Sequence, residues 1–214
     1  MQTLRQPLGQ ARTGFVQLRR GEGYSGKAQF PAPLPDGLFE SLSVLERAVM
    51  HHERDDSQIL ERPLPDEAAT LDFGRRLAHA VRPGMAIWLS GDLGAGKTTL
   101  VRGLLRGLDF SGRVKSPTYT LLEIYPFSSF NLYHFDLYRF ADPIEWEESG
   151  FREHFNAQSI CLVEWPEKAE GMLPEPDLLI RLDLAGDGRL ARLSGKTEEG
   201  RRCAQKVMES YLPG

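Results

Sequence analysis

From Ile59 onward the apolar positions switch repeatedly between a two-residue period and one near 3.6, the pattern of strands alternating with helices. A short strand over residues 59–64 leads into a helix over 67–81, with Asp66 as its N-cap and Pro83-Gly84 as its stop. Residues 85–90 read as a buried strand running directly into GDLGAGKTTL, after which Leu100, Val101, Leu104, Leu105 and Leu108 recur at helical spacing. Two extended segments follow at 119–125 and 132–137, separated by PFSSFN. Asp142-Pro143-Ile144-Glu145 combines a capping acid, a first-turn proline and a glutamate three positions after the cap, which predicts a helix running to Phe155. Residues 159–163 form the next buried strand, ending at Glu164-Trp165-Pro166. DLLIRLDLAGDGRLARLSG alternates on both sides of Gly186-Asp187-Gly188 and predicts a β-hairpin. An amphipathic helix capped by Thr197 closes the chain, with Ala204, Val207, Met208 and Tyr211 on one face.

Residues 1–49 lack this order. Gly and Pro are scattered through them, and only 38–49 carry a sustained apolar period. The expectation is a poorly ordered N-terminal extension over 1–55 followed by a single domain over 56–214. Arg5, Arg12, Arg19 and Arg20 without an acid in the first 21 residues form one feature of a mitochondrial transit peptide, but Ser is scarce and Gly and Pro interrupt any amphipathic helix. Translation from Met50 is the alternative. No apolar h-region argues for secretion, and no run approaches the roughly 18 residues that span a bilayer, so a soluble, cytoplasmic protein without membrane contact is expected.

Charge narrows the partners. The 214 residues carry a formal charge of −4, which lacks the positive field needed to bind phosphate backbones unaided; nucleic acid is expected only indirectly, through a partner. The two cysteines, Cys161 and Cys203, form neither a disulfide framework nor a metal-ligand pair. His51 and His52 lie in the charged stretch MHHERDD and read as solvated.

The chemistry enters at Gly91-Asp92-Leu93-Gly94-Ala95-Gly96-Lys97-Thr98, which fits G-x-x-x-x-G-K-[ST] between a strand and a helix, the context this loop requires. Its glycines allow successive N–H groups to converge on one concavity, and the following helix turns its positive end to the same phosphates. Lys97 adds a point charge at the β- and γ-phosphates, and Thr98 a hydroxyl for Mg²⁺. A plain glycine-rich turn would explain the glycines but not a lysine and a hydroxyl at those two positions. The fold expected is therefore α/β of the P-loop NTPase type, a mostly parallel sheet flanked by helices, with a C-terminal hairpin and terminal helix.

Such a site needs carboxylates at the ends of neighbouring strands. LYHFD and ICLVE are both mostly apolar runs ending in an acid, Asp136 and Glu164. By the purity of its run Glu164 is the better Mg²⁺ ligand, leaving Asp136 to position water or touch phosphate, although the two roles can be exchanged. Thr118, in the turn KSPTYT, is a candidate sensor of the γ-phosphate. His134 and Trp165 read as structural residues. No [NT]-K-x-D segment is present, which disfavours GTP.

Taken in order, GDLGAGKTTLVRGLL, VKSPTYTLLEIY, HFDLYRFADPIEWEESGFREHF, ICLVEWPEKAEGMLPEPD and the terminal hairpin resemble the TsaE family, also called YjeE, over about residues 59–195. The resemblance implies a bacterial ATPase that acts with the proteins TsaD and TsaB in making N6-threonylcarbamoyladenosine in tRNA. In that scheme ATP turnover resets the partner complex and does not perform the transfer. It further implies ATP at Leu93, Gly94, Ala95, Gly96 and Lys97, Mg²⁺ at Thr98 and Glu164, and Asp136 at the nucleotide. Glu67, Gly188 and Arg189 would border the adenine and ribose. Catalysis is expected from Lys97, Asp136 and Glu164 by in-line attack of water, slowly in the isolated subunit because no arginine is evidently held over the γ-phosphate. A small-molecule kinase and a nucleotide-gated interaction module are the alternatives.

Overall fold

The computed structural model describes residues 58–212. The expectation of a poorly ordered extension over 1–55, with the readings of Met50, His51 and His52, lies outside those residues. Within them the elements follow as β1 (Leu60–Leu64), α1 (Glu67–Ala78), β2 (Ala86–Ser90), α2 (Lys97–Gly107), β3 (Leu122–Pro126) and β4 (Asn131–Asp136). Then come α3 (Ile144–Glu148), β5 (Ser159–Glu164), β6 (Leu178–Ala185), β7 (Gly188–Gly195) and α4 (Glu198–Glu209), with 3₁₀ turns at Phe151–His154 and Pro166–Ala169.

All seven strands form one sheet in the order β1-β7-β6-β2-β5-β4-β3. The central run β6-β2-β5-β4 is parallel, while β3 pairs antiparallel with β4, and β7 antiparallel with both β6 and β1. Five strands thus share one direction, and the phosphate-loop strand β2 lies between β5 and β6. Ligands in open α/β sheets gather at the carboxyl ends of such strands.

Strand parity assigns the two faces. Ile87 and Leu89 of β2, Ile160 and Leu162 of β5, and Leu132 of β4 join the core under α1, α2 and α4. Cys161, Val163 and Phe135 point the other way, into a cluster with Trp146 and Leu173, and Tyr133 packs against it. The same parity turns His134, Asp136 and Glu164 to the face carrying α2. The helices α1 and α2 touch through glycines, since a Cβ on Gly103 would lie 2.3 Å from the Leu71 carbonyl oxygen and one on Gly74 would lie 2.2 Å from that of Leu100.

Three expected boundaries are corrected. The helix over 67–81 ends at Ala78, because the chain tightens into i→i+3 bonds, His79 N–H to Arg76 O and Ala80 N–H to Leu77 O. The helix expected to reach Phe155 stops at Glu148, because Gly150 takes a left-handed conformation (φ 70°) and only a 3₁₀ turn follows. Its start is as read: Asp142 accepts from Ile144 N–H, and Glu145 reaches back to the N–H groups of Ala141 and Asp142. The strand expected from Tyr119 begins at Leu122, since residues 117–121 fold into a turn closed by Leu121 N–H to Pro117 O, with Leu121 at φ 62°.

Candidate functional site

The loop between β2 and α2 bends at Gly91 (φ 137°), Gly94 (φ 79°) and Gly96 (φ 103°), conformations that side chains other than glycine's rarely allow. Gly96 is also the N-cap of α2, so the loop's backbone and the helix's positive end share one concavity. Arg189 of β7 lies over the loop, its Nε donating to Ala95 O at 2.8 Å; a Cβ on Gly96 would come within 2.9 Å of that nitrogen.

Lys97 is 4% exposed. Its ammonium donates to Gly91 O at 2.5 Å and Asp92 O at 3.0 Å and lies 3.8 Å from the centroid of the Trp165 ring. Burial pushes its pKa below the ordinary lysine value, opposed by the negative charges of Glu164 and Asp136. Trp165 reaches this place through a left-handed backbone (φ 60°) immediately after β5, an unfavourable conformation for a bulky residue.

The two acids stand side by side, because β4 and β5 are in register Asp136 to Glu164. Thr98 Oγ1 donates to Glu164 Oε1 at 2.9 Å, and His134 Nε2 approaches the same oxygen at 2.8 Å. Thr118 Oγ1 donates to Asp136 Oδ2 at 2.5 Å, while Tyr138 N–H donates to Asp136 Oδ1 at 3.1 Å. Ser116 lies 2.7 Å from Thr118, hydroxyl to hydroxyl.

These groups surround a cavity of about 310 Å³ bordered by Leu93, Gly94, Gly96, Lys97, Thr98, Thr118, Asp136, Glu164, Glu67 and Arg189. Of the candidate residues read from sequence, two do not face it. Ala95 is buried beneath the loop and offers its carbonyl to Arg189. Gly188 is buried against Leu64 and Pro65, where a Cβ would meet the Leu64 carbonyl oxygen at 2.6 Å. Glu67 lies near Arg102 of α2 (3.6 Å) at the cavity's edge.

Thr99, Ser116, Tyr138 and Trp165 also border the cavity, and none of them is among the site candidates that the sequence offers. The proximity of Trp165 to Glu164 in sequence was visible, but only its left-handed backbone brings the indole over Lys97. Among the described residues no group of three or more His, Cys, Asp or Glu side chains could hold a metal by itself. A hydroxyl paired with a carboxylate, as in Thr98 and Glu164, fits Mg²⁺, which takes one or two protein oxygens and completes its shell from phosphate and water.

The order of these parts along the chain has counterparts. The family model described as "Threonylcarbamoyl adenosine biosynthesis protein TsaE" matches residues 64–192. The chain belongs to the TsaE family. It is 48% identical over 147 residues to the tRNA threonylcarbamoyladenosine biosynthesis protein TsaE of Haemophilus influenzae, covering 66% of this chain and 93% of that protein. It is 42% identical over 123 residues to the TsaE of Bacillus subtilis, covering 58% and 75%. A crystal structure of Bacillus subtilis YdiB superposes with a TM-score of 0.63 at 29% identity, over 72% of this chain and 97% of that one. The matched span contains β2, the loop, Thr118, Asp136, Glu164 and Arg189, so every cavity-lining residue named above falls within it. Among the described residues no helix is long and apolar enough to cross a membrane.

Proposed function

We propose that this TsaE-family chain is a Mg²⁺-dependent ATPase of the cytoplasm that serves tRNA N6-threonylcarbamoyladenosine modification at position 37 together with TsaB and TsaD. The observation that carries the reading is the convergence on one cavity of a glycine-bent loop at a helix N-terminus, Lys97, and a Thr98–Glu164 pair beside Asp136. The pathway is supported by the relatives' names.

Loop N–H groups and the start of α2 receive the phosphates, and Lys97 leaves the carbonyls of Gly91 and Asp92 to meet the charge that develops on them. Held by Thr98 and Glu164, Mg²⁺ would neutralise charge on the phosphate oxygens. Asp136, fixed from one side by Thr118 and from the other by Tyr138 N–H, orients the attacking water. Arg189 is committed to the Ala95 carbonyl, and among the described residues no other arginine borders the cavity; a partner completes the site and sets its rate.

The test is tRNA modification reconstituted with TsaB, TsaD and Glu164→Ala in place of the wild-type chain. If turnover resets the partner complex, modification stops after about one cycle. Multiple cycles with the hydrolysis-deficient variant would identify a nucleotide-gated binding module instead. Phosphate appearing on a small acceptor would identify a kinase.

A further inference from the structure

His134 is 0% exposed, in the core between Leu132 and Asp136 on the α2-facing side of β4. Its Nε2 is 2.8 Å from Glu164 Oε1, and its Nδ1 is buried with no hydrogen-bond partner. Buried polar atoms are nearly always paired. A histidine serving only to fill the core would be better replaced by a residue with no orphaned nitrogen; this one leaves Nδ1 unsatisfied and commits its other nitrogen to Glu164. A carboxylate oxygen accepts, so the pairing places a proton on Nε2 and makes the histidine the donor.

The register explains how it reaches. His134 is the Cα partner of Leu162, and Asp136 that of Glu164, so His134 and Glu164 are diagonal neighbours on one face of two parallel strands. Glu164 Oε1 accepts from both His134 and Thr98. No protein hydrogen bond reaches Oε2 among the described residues, which leaves that oxygen to the cavity. Two donors on Oε1, one from a rigid strand and one from the first turn of α2, fix the plane of the carboxylate.

We infer that His134 is a positioning residue which holds the Glu164 carboxylate in the orientation that receives Mg²⁺. The inference rests on the proposed role of Glu164 toward the metal. Outer residues of this kind typically change metal affinity by about 10- to 100-fold when removed. His134 never touches nucleotide or metal in this account; it acts through Glu164 alone.

The experiment compares the full chain with His134→Leu, which keeps an apolar volume and removes the donor, and with His134→Gln, which returns an N–H. Titration calorimetry follows ADP binding in EDTA and over a Mg²⁺ series, and thermal unfolding is measured without nucleotide. The expected result is unchanged ADP affinity in EDTA for all three proteins. In His134→Leu the Mg²⁺ concentration for half-maximal enhancement rises about tenfold or more, and His134→Gln recovers most of that loss. Wild-type Mg²⁺ dependence in His134→Leu would overturn the inference, as would an equal loss of affinity with and without Mg²⁺, which marks a packing role. If His134→Leu does not fold, His134→Met against His134→Gln makes the same comparison. A wild-type chain whose ADP binding ignores Mg²⁺ would instead overturn the underlying role of Glu164.

Discussion

The ammonium of Lys97 lies 3.8 Å from the centroid of the Trp165 ring while donating to two carbonyls of its own loop. The loop thereby shields its own cation at the place where a phosphate would take over. Replacing Lys97 by methionine removes a charge-assisted contact worth about 1.5–3 kcal/mol, so ATP affinity should fall at least about tenfold in equilibrium binding.

Stability should move differently. Burial holds the Lys97 pKa below its ordinary value, so the folded state binds this proton less readily than the unfolded chain does. Between the lowered value and the ordinary value of about 10.4, rising pH therefore favours the folded state. The wild type should show this increment in denaturant midpoint as pH is raised, and Lys97→Met should lack it. An identical pH profile in the two proteins would contradict the cause given for the shift.

Thr118 should matter through Asp136. Thr118→Val removes the hydroxyl bonded to Oδ2 at 2.5 Å, and a hydrogen bond to a charged group of about 1.5–3 kcal/mol predicts a loss of about tenfold or more in kcat. KM should change little, and Thr118→Ser should restore the rate. Steady-state kinetics with saturating Mg²⁺ separates these outcomes.

The contact between α1 and α2 supplies a stability prediction. Gly103→Ala places a methyl 2.3 Å from the Leu71 carbonyl oxygen, and neither backbone can yield without moving a helix. Overpacking of this kind costs about 1–3 kcal/mol, so Tm should drop by several degrees. Gly103 does not border the cavity, yet α2 carries Lys97 and Thr98, and nucleotide affinity should weaken with the substitution.

Both thiols should be silent. Burial pushes Cys161 and Cys203 up to about 12, leaving almost no thiolate near neutral pH. A thiol reagent at pH 8 should label neither cysteine in the native protein and both after denaturation. Rapid native labelling would place one of them outside the core.

The sequence made the loop, both acids and the helix caps legible because each is a local signal. Asp142 and Glu145 cap as their spacing indicated. What escaped is non-local. Nothing near Leu121 announces its positive φ, yet the turn it closes is what brings Thr118 to Asp136, 18 positions away. His134 read as a structural histidine because its neighbour, Glu164, is reached only through the pairing of β4 with β5. Gly150 was visible as a glycine, but its left-handed geometry decides where α3 ends. Strand parity places the carboxylates on the α2 face only once strand order is known, and that order, with β5 inserted between β2 and β4, has no local signature.

The most direct test of the central claim is ATP hydrolysis by the purified chain, alone and with TsaB and TsaD from the same organism, comparing wild type with Lys97→Ala. Hydrolysis should be slow and Mg²⁺-dependent, accelerated by the two partners and abolished by Lys97→Ala. Hydrolysis unaffected by the partners, or persisting at the wild-type rate in Lys97→Ala, would contradict it.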